Sequence, residues 1–326
     1  MRPWLLLVGM LFGAVLLAAC AGNEWASPAD LGRALSGDQT MWSLLLIRWR
    51  LPRVLAAALV GTLLGASGAV FQGVFRNPLA EPYLLGSAGG AALGSTVALL
   101  VPLGVSQALS LPLLAFVGAW GSTGVVLAVS RVAGAVDAAG MLLAGVAVAA
   151  VLGALRSYLM LALSNEAVSL QAVLSWVLGG VQTPTWTALA MFALIAAGCI
   201  ALTMPLARGL DLIGLGEIMA TGFGLSVRRF IALAVVVASL SVAAAVALGG
   251  LIAFVGLAAP HIARWLVGPL HQRLLPAAAL VGASLVTLAD AVARAALPPA
   301  EIPLGLVTAL VGGPFFILLL ARKRRS

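Results

Sequence analysis

The sequence predicts an all-α, polytopic membrane protein of about ten transmembrane helices. Three observations carry that prediction. The chain is 63% hydrophobic and only 9% charged, whereas a soluble domain carries about 25% charged residues, so there is too little polar surface to cover a globule in water. The apolar runs are long and unbroken, as in Phe230 to Leu248, and lack the apolar–polar alternation of a membrane β-barrel. Finally, 326 residues divided into spans of about 20 residues with short connections make about ten crossings.

The first span runs from Pro3 to Gly22. Its end, Leu17-Ala18-Ala19-Cys20, has the form of a bacterial lipoprotein signal cleaved before the cysteine. With so many spans following, the run reads instead as a first transmembrane helix ending in small residues. A polar stretch then includes Ser27-Pro28-Ala29-Asp30, the pattern of an N-cap with Pro at N1 of a short surface helix. The second span follows Pro52 and ends near Val74. The third runs from Leu85 to Val101, the fourth from Leu109 to Val129 and the fifth from Ala138 to Leu163. Leu170 to Leu178 is too short to cross and is placed at the interface. The remaining spans are Trp186 to Leu206, Phe230 to Leu248, Ile252 to Val267, Leu274 to Ala296 and Leu304 to Leu320. Gly61, Gly65 and Gly68 on the second span, and Gly86, Gly90 and Gly94 on the third, form small-residue faces that let helix backbones pack closely in lipid.

An even number of crossings puts both termini on one side. With that side cytoplasmic, it receives 12 of the 18 basic residues, including the C-terminal Arg322-Lys323-Arg324-Arg325, as the positive-inside rule requires. The formal net charge of +8 therefore reflects topology. The arginines are dispersed, without a basic stripe interleaved with aromatics, so nucleic acid is not the partner. Against the bias, Arg48, Arg50 and Arg53 crowd the outer mouth of the second span and Arg294 ends the ninth. Snorkelling at helix ends and docking of external carboxylates both explain them.

Gly209 to Arg229 is the longest cytoplasmic connection and is divided by Gly222 and Gly224. Two short amphipathic helices fit it, lying on lipid or serving as the handle for a soluble partner. Asp290 and Arg294, four apart on one helix, form a structural pair. His261 has no second histidine or carboxylate clustered with it, so no metal site is expected. Cys20 and Cys199 read as small buried residues, not a disulfide or metal pair. No nucleophile–base constellation and no Gly-x-x-x-x-Gly-Lys phosphate loop is present, so no catalytic residue is assigned.

Several stretches together resemble the FecCD-type permeases of ABC importers. These are Arg50-Leu51-Pro52-Arg53 leading to Gly61 and Gly68, then Gln72, Arg76-Asn77-Pro78-Leu79-Ala80-Glu81-Pro82 and Leu85-Gly86. Leu215-Gly216-Glu217, Ala220 and Gly224 follow, then Phe254-Val255-Gly256-Leu257, Pro260-His261 and Arg264. Asp290, Arg294, Glu301-Ile302-Pro303-Leu304-Gly305 and Gly313-Pro314-Phe315 complete the series. They occur in the family's order over nearly the whole chain.

The resemblance implies a type II ABC importer permease fold, with residues 1–326 as one transmembrane permease domain and 209–226 as coupling helices within it. It implies a homodimer in the inner membrane, both termini cytoplasmic, moving an iron complex (siderophore or haem) or cobalamin along the dimer axis. Two ABC ATPase subunits would dock below, contacting Leu215, Gly216, Glu217, Ala220 and Gly224. A periplasmic or lipid-anchored binding protein would dock above on Arg50, Arg53 and Arg294. Asn77 and Leu79 match the family's cytoplasmic gate. A second gate position falls at Ala138 and Ala139, where some relatives carry hydroxyl side chains. The chain itself would hold no cofactor; ATP and Mg belong to the partner ATPase. The alternative, a proton- or sodium-coupled secondary transporter, needs a working acid at mid-membrane, for which Asp290 is the main candidate.

Overall fold

A computed structural model describes residues 2–134, 137–163 and 167–323, with backbone alone at 138, 167–170 and 318–323. The side chain of Ala138 and the whole of Arg324 and Arg325, all singled out in the sequence, lie outside that description. The described chain is helical throughout. In order it forms α1 (Arg2–Cys20), α2 (Pro28–Leu35), α3 (Met41–Leu45), α4 (Leu51–Val74), α5 (Ser87–Leu100), α6 (Gln107–Val132), α7 (Ala138–Leu163) and α8 (Ala167–Val177). Then follow α9 (Trp186–Thr203), α10 (Ala207–Gly214), α11 (Glu217–Gly222), α12 (Val227–Gly249), α13 (Val255–Val267), α14 (His271–Ala295) and α15 (Leu304–Lys323).

Among the described residues seven helices are long and apolar enough to cross a membrane: α1, α3 joined to α4, α6, α7, α9 joined to α10, α12 and α14. The other three expected spans are α5, α13 and α15. Helix α13 has 13 residues and reaches only about 20 Å at 1.5 Å per residue, short of a hydrocarbon core about 30 Å thick. Irregular backbone precedes both α5 and α13. Residues 81–85 include a 3-10 turn, Pro82–Leu85, and residues 250–254 begin at Gly250 (φ 63°) and end at Phe254 (φ 67°). Such backbone is tolerated at depth only where protein satisfies it, and here Tyr83 and Glu81 accept from Ile252 and Phe254 N–H.

Helix α4 is the mast of the fold. Nearly all of it from Val60 to Val74 is buried, and α12, α13, α14 and α9 pack around it. Its glycines act as the sequence suggested: a Cβ on Gly61 would overlap the Gly282 carbonyl of α14, and one on Gly68 would overlap the Gly256 carbonyl of α13. Gly90 and Gly94 do the same for α5 against α6. Small residues thus set the interhelical spacing.

The second span begins earlier than Pro52. From Met41 the helix is continuous to Val74, a run of 34 residues, through a π turn at Leu46–Arg50. A proline ring clashes with the carbonyl four residues before it. The wider turn, with Leu51 N–H donating to the Leu46 carbonyl, accommodates that ring without ending the helix.

The short surface helix α2 forms as its cap predicts. The Ser27 hydroxyl accepts from Asp30 N–H at 3.1 Å, and Asp30 Oδ2 accepts from Ser27 N–H at 2.8 Å, a reciprocal capping box. Helix α8, expected as an interfacial piece, has 11 residues and is too short to span. Helix α1 packs along α14, with Cys20 buried and outside any disulfide.

Candidate functional site

Two ends of the bundle concentrate the polar chemistry. At the first, the π turn and the start of α4 bring Arg50 and Arg53 beside the last turn of α14. Asp290 is fully buried and accepts from two arginines, Arg53 Nε at 3.0 Å and Arg294 Nε at 2.9 Å. Arg53 also makes a bidentate fork with Glu301, at 3.1 Å through Nη1 and 2.8 Å through Nη2. Its side chain is 17% exposed and that of Glu301 is 52% exposed, so the fork is the part of this network that faces outward.

Arg294 is turned inward, with its side chain 7% exposed. Besides Asp290 it donates to the carbonyls of Ala21 at 2.6 Å and Ala18 at 2.9 Å. Arg50 donates to the carbonyls of Cys20 at 3.1 Å and Glu24 at 3.0 Å, and its guanidinium lies 5.3 Å from the Trp42 ring centroid. Helix C-termini leave their last carbonyls without intrahelical partners and carry partial negative charge. Arg50 and Arg294 therefore serve as the C-terminal cap of α1. A cleft of 420 Å³ opens here, lined by Glu24, Trp42, Trp49, Arg50, Arg53 and Glu301 among others. The sequence placed Arg50, Arg53 and Arg294 at one mouth, and the structure brings them together. All three guanidiniums are already engaged within the chain. Arg48, on the exposed side of the same turn with Trp49, has no such partner among the described residues.

At the opposite end of α4 the chain leaves the helix at Arg76, whose φ of 47° is left-handed. Asn77 then folds back on itself: its Oδ1 accepts from Leu79 N–H at 2.9 Å and its carbonyl accepts from Ala80 N–H at 3.0 Å, an Asx turn. Leu79 is exposed and Ala80 buried. Ala139, at the start of α7, is exposed.

The long connection forms the two short helices expected of it. A 3-10 turn at Met204–Leu206, containing Pro205, joins α9 to α10. Gly216 (φ 105°) and Gly224 (φ 84°) supply the left-handed turns on either side of α11, positions open to glycine at little cost. Ala220 is fully buried and anchors α11, while Leu215, Ile218, Met219 and Phe223 are exposed, Ile218 at 89%. Those exposed apolar side chains form one patch with Glu217, whose carboxylate reaches Arg76 at 3.2 Å. Ile218, Met219 and Phe223 join Leu215, Gly216, Glu217, Ala220 and Gly224, the residues expected from the sequence. The signal for the first three was present, as apolar residues within a short polar connection.

Behind the patch, Asp211 of α10 accepts both the backbone N–H of His271 at 2.9 Å and its ring Nδ1–H at 2.7 Å. A carboxylate from a different element thereby caps α14.

The sequence model described as the FecCD transport family matches residues 7–322. The vitamin B12 import system permease protein BtuC of Escherichia coli O9:H4 (strain HS) is 38% identical over 327 residues, covering 99% of this chain and 96% of BtuC. The hemin transport system permease protein HmuU of Yersinia pestis is 38% identical over 332 residues, covering 100% of this chain and 98% of HmuU. A solved structure described as an inward-facing conformation of a metal-chelate type ABC transporter superposes with a TM-score of 0.84 at 30% identity, covering 98% of each chain.

Proposed function

The chain belongs to the FecCD transport family, and from that premise we propose that it is the membrane-spanning permease of an ABC importer for a bulky metal chelate. Two copies form a homodimer whose axis is the passage. A separate ATPase docks on each α10–α11 unit at the cytoplasmic face, and a soluble binding protein docks at the arginine cleft outside. The observation that carries this reading is the exposed apolar patch of Leu215, Ile218, Met219 and Phe223 around Glu217. Such a patch, on an element anchored by Ala220, suits a protein partner.

At the outer cleft, a carboxylate from the binding protein replaces Glu301 on the Arg53 fork, because both offer the same planar, bidentate geometry. Arg50 lines the cleft beside it, and Arg294 supports the site by holding Asp290 and the end of α1. A proton- or sodium-driven carrier is not favoured: Asp290, the acid it would need, is committed to two arginines.

Relatives of equal identity are permeases for vitamin B12 and for hemin. The carried ligand is accordingly a metal chelate, with iron complexes (haem or a ferric siderophore) placed ahead of cobalamin. The test is uptake into proteoliposomes holding the permease, its ATPase and its binding protein, offered haem, a ferric siderophore and cobalamin in turn. ATP-dependent accumulation of one is expected. ATP-independent uptake driven by a proton or sodium gradient would overturn the reading.

A further inference from the structure

Residues 76–83 connect the two regions that an importer must couple, and both ends of this segment are held by charged side chains. At one end Arg76 Nη2 donates to Glu217 Oε1 at 3.2 Å. At the other, Glu81 Oε1 accepts the backbone N–H of Phe254 at 2.8 Å. Phe254 is the N-cap residue of α13, and its left-handed φ of 67° is costly for an aromatic residue. Two more contacts grip the same place. The Tyr83 hydroxyl accepts from Ile252 N–H at 3.2 Å, and Pro82 lies so close to Gly256 that a Cβ there would meet its ring at 2.5 Å. Glu81 forms no ion pair among the described residues, so its carboxylate serves the α13 terminus instead of a cation.

The segment between these anchors carries backbone hydrogen bonds of its own. Asn77 N–H donates to the Gln72 carbonyl at 3.1 Å and Ala80 N–H to the Asn77 carbonyl at 3.0 Å. These bonds give the chain a defined turn between Arg76 and Glu81. Helix α13 is in turn tied to α4, since Gln72 Nε2 donates to the Leu257 carbonyl at 3.2 Å and Arg264 donates to Gln72 Oε1 at 2.6 Å.

We propose that residues 76–83 are a strut joining the ATPase-docking helix α11 to the start of α13, with the gate residues Asn77 and Leu79 riding between its two anchors. The anchors differ in kind. Arg76 and Glu217 are 48% and 56% exposed, so their pair is weak, salt-screened and readily broken. The Glu81 anchor is half-buried and is seconded by the Tyr83–Ile252 hydrogen bond on the same irregular backbone, so it is less open to water than the Arg76 pair and stays closed. When an ATPase shifts α11, the outer pair is pulled or released, and the gate and α13 respond together. Arg76 and Glu81 act as positioning residues. The inference rests on the reading of α11 as the ATPase contact.

Its test is a charge swap, R76E, E217R and the double variant, scored by chelate transported per ATP hydrolysed in proteoliposomes. Each single reversal is expected to lower that ratio several-fold while hydrolysis continues, and the double variant to recover at least half of it. Because Glu217 lies within the docking patch, co-purification of the ATPase is measured for every variant, and R76E should retain it. At the Glu81 anchor, E81Q keeps an acceptor oxygen and should keep the ratio, whereas E81L should lower it. Y83F, which removes only the second acceptor, provides a milder break if E81L fails to fold.

A second readout needs no ATPase: the distance distribution between spin labels on L79C and I218C. It should broaden in R76E and narrow again in the double variant. Single reversals with wild-type ratio and distances, or a double variant no better than the worse single, would overturn the strut. Failure of the wild-type permease to bind any ATPase, with the distance response intact, would instead sink the reading of α11 and leave the mechanical link standing.

Discussion

Replacing Asp290 by Asn tests the centre of the outer network. Asp290 uses one oxygen for each of two arginines, and asparagine keeps only one acceptor while turning an NH₂ toward the other donor. One charge-assisted hydrogen bond is lost outright, worth about 1.5–3 kcal/mol. The two guanidiniums also lose their shared countercharge. Arg53 retains Glu301, but Arg294, at 7% exposure, is left with neutral carbonyls alone. Breaking a buried pair from one side typically costs about 3–5 kcal/mol, and that is the expected loss for D290N. The assay is reversible unfolding of the detergent-solubilised permease by sodium dodecyl sulfate, followed by tryptophan fluorescence. The triple variant R53M/D290L/R294M, which removes every charge of the cluster except Glu301, should recover part of the loss, the remainder being the α1 carbonyls that Arg294 capped. A D290N cost below about 1 kcal/mol would refute the argument, because it would mean that water or lipid headgroups already solvate these arginines.

Four further outcomes follow from other parts of the molecule. Gly282→Ala places a methyl against the Gly61 carbonyl of α4, where backbone faces backbone; a loss of about 1–3 kcal/mol in the same unfolding assay is expected, and no loss would show that α4 and α14 can separate freely. Ile218→Arg removes the centre of the exposed patch without touching the core, so ATPase co-purification should fall at least ten-fold at unchanged thermal stability. Glu301→Gln weakens the clasp on Arg53 and should raise binding-protein affinity several-fold by interferometry; unchanged affinity would remove Arg53 from the docking surface. The Asp30 carboxyl is held below its ordinary value of 3.8 by the Ser27 backbone N–H and then by the Ser27 hydroxyl. The stability of this cap is thus fully present above pH 3.8 and is lost as pH falls through the lower folded value. The Ser27 amide shift should titrate with a midpoint below 3.8, and a midpoint at or above it would contradict the capping box.

Much of this fold is legible along the chain because its causes are local. Ser27-Pro28-Ala29-Asp30 caps α2 with contacts three residues apart, so a four-residue pattern suffices to find it. The apolar runs of α6, α7 and α12 announce themselves because each satisfies its own backbone within the span, as hydrocarbon requires. Gly61 and Gly68 were visible as small-residue faces, although their partners, Gly282 and Gly256, were not. Arg50, Arg53 and Arg294, set against the positive-inside bias in the sequence, lie together at one end of the bundle.

What the chain alone could not decide is where contacts cross between distant segments. Arg294 and Asp290 are a visible i,i+4 pair, but that Arg294 also closes the end of α1, some 273 positions away, depends on α1 packing along α14. The spans expected at Leu85 and Ile252 proved shorter, and the irregular backbone before α13 is held in part by Glu81 and Tyr83, which reach Phe254 and Ile252 across 173 and 169 positions. Composition and periodicity therefore determined that this is a helical membrane protein and roughly where its helices run. Tertiary structure decided which carboxylates cap which helices and which arginines are engaged, because a buried polar group takes its partner from whatever folding brings within 3 Å or so.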